Sequence, residues 1–286
     1  MAMRGLALLC AAFVFAPCAP AQTGAPVPAA VPAMRKPVAS DRAWETEAVR
    51  AALDQSLYPV AVKMGAVQGN SVPVEVDLQN LSPKTITAYS VSFVEHRADG
   101  SERTQFRTED ILGETVLARV PGNRVVSSPG TLNSHEIRPV KTTLWLDPGT
   151  LPPTDITAKV TMIVFEDRTA LGNPFWVQTT LDGRKKGSEA DGALLAELRK
   201  LLARPEVQNV SEPDQTKALQ RALADRIGEI KRGGAGAGWT PDQITKLQLF
   251  HNALMLSRQH FDQMMSNWEI LQRAAAEQSS LEVTNQ

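Results

Sequence analysis

The chain has 286 residues, with 30 Lys and Arg against 31 Asp and Glu, for a formal net charge of −1. That balance lacks the basic footprint of a nucleic-acid binder, and no nucleic-acid partner is expected. Hydrophobic residues make up 43% and charged residues 21%, which excludes disorder over the whole chain, and 5% aromatics argue against a surface of stacking platforms.

Met1 to Arg4 is a short positive start, and Gly5 to Ala16 is an apolar run of signal-peptide length, too short to span a bilayer. Ala19-Pro20-Ala21 is a small-x-small cleavage site. Residues 1–21 are thus expected to be a signal peptide, giving a periplasmic or secreted protein that starts near Gln22. Neither Cys10, after Ala7-Leu8-Leu9, nor Cys18, after Phe15-Ala16-Pro17, has the small residues of a lipid-attachment site. No later stretch reaches 18 apolar residues, so the mature chain is expected to have no membrane span. Both cysteines lie in the signal, which removes disulfides, thiolate nucleophiles and Cys zinc sites from the mature chain.

Residues 22–40 are rich in Ala and Pro and read as a linker. A short helix is expected over residues 41–56, capped by Asp41, with Ala43, Val49, Ala52 and Leu53 apolar. From residue 57 the period becomes two. Val60, Val62 and Met64 follow Pro59, and Val72, Val74, Val76 and Leu78 alternate with polar residues. After the turn Asn80 to Lys84, Tyr89, Val91 and Phe93 take one parity while Ser90 and Ser92 take the other, up to Asp99-Gly100. Residues 101–135 read as a long loop with one edge strand. Val140, Leu144 and Leu146 then share a core parity, leaving Lys141, Thr143 and Trp145 outward, before Asp147-Pro148-Gly149. Thr157–Phe165 is a further strand, and Asp167–Asn173 is expected as a hairpin loop into a strand over Phe175–Leu181.

The run from Val72 through Asn80-Leu81-Ser82-Pro83-Lys84 to Tyr89 resembles the second and third strands of immunoglobulin-like domains in bacterial exported proteins. There an alternating strand ends in Asn and a short Ser/Lys turn. The likeness implies an antiparallel immunoglobulin-like β-sandwich over residues 57–181. It brings no function, since such domains serve many ends. The cysteine pair and core Trp of antibody domains are absent.

After Leu181, Asp182 to Gly187 reads as a polar hinge into a helical region, residues 182–286, as a bundle or hairpin. Leu194, Leu195, Leu198, Leu201 and Leu202 line one helix that ends at Arg204-Pro205. Leu219, Leu223, Ile227 and Ile230 line a second, broken by Gly233 to Gly238. Thr240-Pro241-Asp242-Gln243 is a capping box that opens a third, expected to run to about Gln278, roughly 55 Å long. Its stripe includes Leu247, Leu254, Phe261, Met265 and Trp268. Two fates are open to it: packing within an intramolecular bundle, which is favoured, or self-association as a coiled coil.

Catalytic signatures are missing. The run Gly233 to Gly238 has no strand before it and no Lys-Ser/Thr after it, so it is a linker rather than a phosphate loop. His251 and His260 are nine residues apart, on opposite faces of one helix, and His96 and His135 have no partner at ligand spacing. Glu75 with Asp77, Glu109 with Asp110, and Glu166 with Asp167 read as solubilising pairs with no cleft between them. There is no Gly-x-Ser-x-Gly elbow. No metal and no cofactor are expected. The expected function is a non-catalytic structural or interaction role with a protein or envelope partner. The expected contact residues are Trp145 on the outer sheet face, covered by the helical region or by that partner, and Leu254, Phe261, Met265 and Trp268 on the stripe. A carbohydrate-binding module or an enzyme with an unrecognised site is the alternative.

Overall fold

The computed structural model describes residues 43–120, 132–233, 238–256 and 261–281. The expected signal peptide, the Ala/Pro-rich linker, Asp41 and His260 lie outside them.

Helix α1 spans Glu47–Ser56 and is capped by Thr46, whose hydroxyl accepts the Val49 N–H at 3.2 Å. The cap thus falls on Thr46 rather than Asp41. The strands are β1 (Leu57–Met64), β2 (Ser71–Asn80), β3 (Ile86–Arg97), β4 (Glu102–Asp110), β5 (Ile137–Trp145), β6 (Pro153–Phe165) and β7 (Ala170–Gly172). They form two antiparallel sheets, ordered β1-β2-β5 and β4-β3-β6-β7. One apolar cluster takes Val72, Val74, Val76 and Leu78 from the first sheet and Tyr89, Val91, Phe93, Val160 and Ile163 from the second. In β2 every second residue is buried, as its alternation predicts.

In β3 the expected polar face is buried too, and Ser90 and Ser92 are covered along with Ala88. The cover is the start of α3 (Pro174–Leu202), whose Val177 and Leu181 pack on Ala88, Met162 and Val164. Residues 175–181 are therefore helix, not the return strand of a hairpin. Asn173 accepts the Phe175 N–H at 2.9 Å and Pro174 stands at the first helical position, so the chain leaves the sheet after three residues of β7. Residues 182–187 lie inside the same helix and do not form a hinge, and the expected boundary between residues 181 and 182 falls within it. Residues 101–135 hold more than a loop: β4 is the edge strand, and helix α2 (Leu112–Leu117) follows it.

Beyond α3 come α4 (Pro205–Gln208), α5 (Glu212–Gly233), α6 (Pro241–Leu256) and α7 (Phe261–Glu277). The capping box at α6 is reciprocal. The Thr240 N–H donates to Gln243 Oε1 at 2.9 Å, and the Gln243 N–H donates to Thr240 Oγ1 at 3.3 Å. The expected single long helix is instead a pair. The ring of Trp268 on α7 stands 5.9 Å from that of Phe250 on α6, whereas 18 residues of unbroken helix would separate them by about 27 Å. Leu194, Leu198, Leu223, Leu247, Phe250 and Leu254 share the core of this bundle.

Sheets and bundle are joined by a buried clamp. Arg184 on α3 donates to both carboxylate oxygens of Asp110 at 2.8 and 3.0 Å, to the Thr87 carbonyl at 3.2 Å and to Gln278 at 3.2 Å. Gln278 in turn donates to the Glu166 carbonyl at 2.6 Å.

Candidate interaction surface

Trp145 is the last residue of β5, and period-two alternation turns its side chain away from the shared core. It is 60% exposed, with Ile137 at 55% on the same strand face. The helices do not cover it, because they pack on the opposite side of the molecule, over β3 and β6. Around it the open face of the three-stranded sheet neutralises its own charge. Lys63 lies 3.6 Å from both Glu75 and Asp77, and Lys141 lies 3.3 Å from Glu75. A shallow depression of about 400 Å³, lined by Lys63, Pro73, Glu75, Lys141 and Thr143, occupies this face.

The indole is exposed but its backbone is fixed. Gln105 on β4 accepts the Trp145 N–H at 3.3 Å and donates to its carbonyl at 3.0 Å, and Arg103 donates to the same carbonyl at 2.7 Å. The Gln105 amide therefore does for β5 what a neighbouring strand would do. Gln105 is held in turn by Glu95, which is fully buried and paired to Arg97 at 3.1 Å. A charge withdrawn from water needs such partners, and here the need ties both sheets together behind Trp145.

The other expected contact residues are not brought to this surface. Leu254 and Met265 are 2% and 9% exposed, and Phe261 and Trp268 are partly buried against the same bundle core. The stripe is spent within the chain. A second exposed group escaped the sequence reading. Phe106 on β4 stacks 5.6 Å from Trp176, and Phe175, 65% exposed, lies 5.0 Å from Trp176. Its signal was the aromatic pair after Asn173-Pro174, masked by reading those residues as a strand.

The buried titratable groups are held in structural pairs. Tyr89 donates to Glu109 at 2.5 Å, and burial first, then the Glu109 charge, push its hydroxyl well above the usual tyrosine range. Asp191 on α3 meets Lys246 on α6 at 2.8 Å, yet its burial raises its pKa in spite of that cation. Glu75 and Asp77 share Lys63, and the other two carboxylate pairs separate. Glu109 turns to Tyr89 and Asp110 to Arg184, while Glu166 meets Arg119 and Asp167 meets Lys84. His96 lies between Glu102 at 2.9 Å and Thr157 at 3.1 Å. Among the described residues no three His, Cys, Asp or Glu side chains gather as a metal site, and no helix is long and apolar enough to cross a membrane. The glycine run follows α5, a helix, where a phosphate loop would follow a strand. Comparison of the chain with protein-family models, curated proteins and solved structures gives no match.

Proposed function

We propose that this chain is an exported, non-catalytic interaction protein that binds a protein partner of the cell envelope through the outer face of its three-stranded sheet. Trp145 is the anchor. The observation that carries this reading is the contrast between an indole 60% exposed and a backbone pinned by Gln105 and Arg103. Aromatic residues dominate binding energy at interfaces, and an anchor held in place before binding loses little freedom when the partner arrives. The buried charges support the non-catalytic part of the reading, since each is engaged in holding one element to another.

The same reading takes the two sheets as an immunoglobulin-like sandwich, supported by the single core they share. It takes residues 1–21 as the export signal, supported by the Arg4 start and the Ala19-Pro20-Ala21 site. A sugar-binding role fits less well, because the other exposed aromatic on that sheet face, Tyr58, opposes Gln79 while Trp145 opposes Ser71, about 27 Å away along β2, too far apart to form one platform.

The test is affinity capture from the host envelope fraction with residues 22–286 as bait, comparing the parent with Trp145→Ala and Phe175→Ala. The expected result is one dominant partner, lost with Trp145→Ala and kept with Phe175→Ala. Identical capture by the parent and Trp145→Ala would overturn the assignment. Intact mass of the exported protein checks the cleavage after Ala21.

A further inference from the structure

The edges of the two sheets differ in how they are closed. β1 is broken by a shift in register between Pro59 and Ala61, and β7 is three residues long. β5 carries Pro139 at the same parity as Trp145, whose peptide group Gln105 takes. Short edges, bulges, prolines and caps all keep another chain from pairing. β4 has none of these. It runs nine residues without proline and without a break in its register with β3. Among the described residues no strand lies beyond it.

The bonds to β3 fix which groups β4 turns outward. The Arg97 N–H donates to the Ser101 carbonyl at 3.1 Å and the Ile111 N–H to the Thr87 carbonyl at 2.8 Å, so odd residues on the β4 side bond β3. Thr104, Phe106 and Thr108 therefore present their N–H and C=O groups to the open side. Their side chains share the face that α3 partly covers, where Phe106 is 47% exposed with Trp176 5.6 Å away. Arg103, Gln105, Arg107 and Glu109 take the other face.

We propose that the partner of this edge is β4 of a second copy, paired antiparallel about a two-fold axis at Phe106. Phe106 is the midpoint of Glu102–Asp110, so this axis pairs the full strand with itself. The charges select the same register. An axis at Gln105 would set Arg103 directly opposite Arg107 of the second copy, and an axis at Arg107 would set the two Arg107 side chains opposite each other. Like charges so placed are destabilising. With the axis at Phe106, Arg103 stands opposite Glu109 of the second copy and Arg107 opposite its Gln105. On the other face Phe106 meets Phe106 and Thr104 meets Thr108, aromatic and threonine pairs that stabilise neighbouring strands. At the two ends Glu102 meets Asp110, each already bonded in its own chain, to His96 and to Arg184. The four-stranded sheets of the two copies then form one continuous sheet.

Both cysteines of the sequence fall in residues 1–21, so residues 22–286 carry none and an introduced cysteine reports alone. Facing residues of a bonded antiparallel pair have Cα atoms about 5.5 Å apart, within disulfide reach. Phe106→Cys is therefore expected to cross-link to its copy on mild oxidation. Thr104 of one copy opposes Thr108 of the other, so Thr104→Cys lies about 13 Å from its equivalent and is expected not to cross-link. Sedimentation of residues 22–286 is expected to give the mass of two chains. Thr104→Pro removes an outward N–H and spares the bonds to β3, and it is expected to weaken association about tenfold relative to Thr104→Ala. A parent that stays a single chain from micromolar to millimolar concentration overturns the proposal. So does a dimer that Thr104→Pro leaves unchanged, or equal cross-linking by the two cysteines, which would place the contact elsewhere. If Thr104→Pro shows no cooperative melting by circular dichroism, the cysteine pair, which keeps every peptide group in place, decides.

Discussion

The Arg184–Asp110 clamp makes an ordered prediction, because its two members differ in their access to water. The Arg184 side chain is 2% exposed and that of Asp110 is 33% exposed. Removing one member of a buried ion pair costs about 3–5 kcal/mol, mostly the price of the charge left behind. Asp110→Ala strands a guanidinium that water does not reach, with Thr87 and Gln278 as its remaining acceptors. The expected loss is about 3–4 kcal/mol. Arg184→Ala strands a carboxylate that water does reach and that still accepts the Leu112 N–H at 3.1 Å. The expected loss is about 1–3 kcal/mol. The double variant removes both charges and is expected to be more stable than Asp110→Ala alone. Urea unfolding of residues 22–286, with the three variants compared at a common slope, measures all of this. A loss from Arg184→Ala equal to or larger than that from Asp110→Ala would refute the desolvation argument.

Trp145→Ala should change stability by less than about 0.5 kcal/mol in the same assay, since the indole lies largely in water. Gly172→Ala should cost more than about 2 kcal/mol: its φ is +95°, and an added Cβ would stand 2.3 Å from the Thr161 carbonyl oxygen. Thr240→Ala should cost about 1 kcal/mol through the lost capping box, visible as earlier thermal loss of helical circular dichroism. Asp191 has a pKa raised by burial, so the folded chain holds its proton more tightly than the unfolded one. Its contribution is full below the unfolded value and is lost as pH rises through the folded value. The melting temperature of the parent minus that of Asp191→Asn should therefore increase as pH is lowered from 7 toward 4. A flat difference would contradict the raised pKa.

The sheets were legible in the sequence wherever one face met water. β2 and β5 have that exposure, and both registers are as the alternation predicts, including the outward Trp145. β3 was half legible, because small serines can face a helix as readily as solvent, and nothing local says which. The first half of α3 was not legible, for a specific reason. Its buried face runs Val177, Leu181, Arg184, Ser188, Asp191, Leu195 and Leu198, at alternating spacings of four and three. The three middle members are polar, and a count of apolar positions finds a gap there, with Gly183 and Gly187 alongside to suggest a hinge. Each of the three is buried because a partner from a distant element meets it: Asp110, Gln272 and Lys246. The fold-back of α7 on α6 was hidden because both helices contribute to one continuous apolar pattern. The candidate surface was legible at Trp145 but not in its mounting, since Gln105 and Arg103 lie in a segment read as loop.

The unbroken course of α3 also limits how the chain's length can vary. The Asn173 cap and the Arg184 clamp are eleven residues apart, within about 20° of three full turns. One residue inserted between them would rotate Arg184 by about 100° and carry it off Asp110, while turning Ser188 and Asp191 away from the bundle. Seven residues would nearly restore the angle but move the bundle about 10 Å along the axis. Relatives of this chain should therefore keep the interval from Asn173 to Asp191 at constant length and place their insertions and deletions elsewhere.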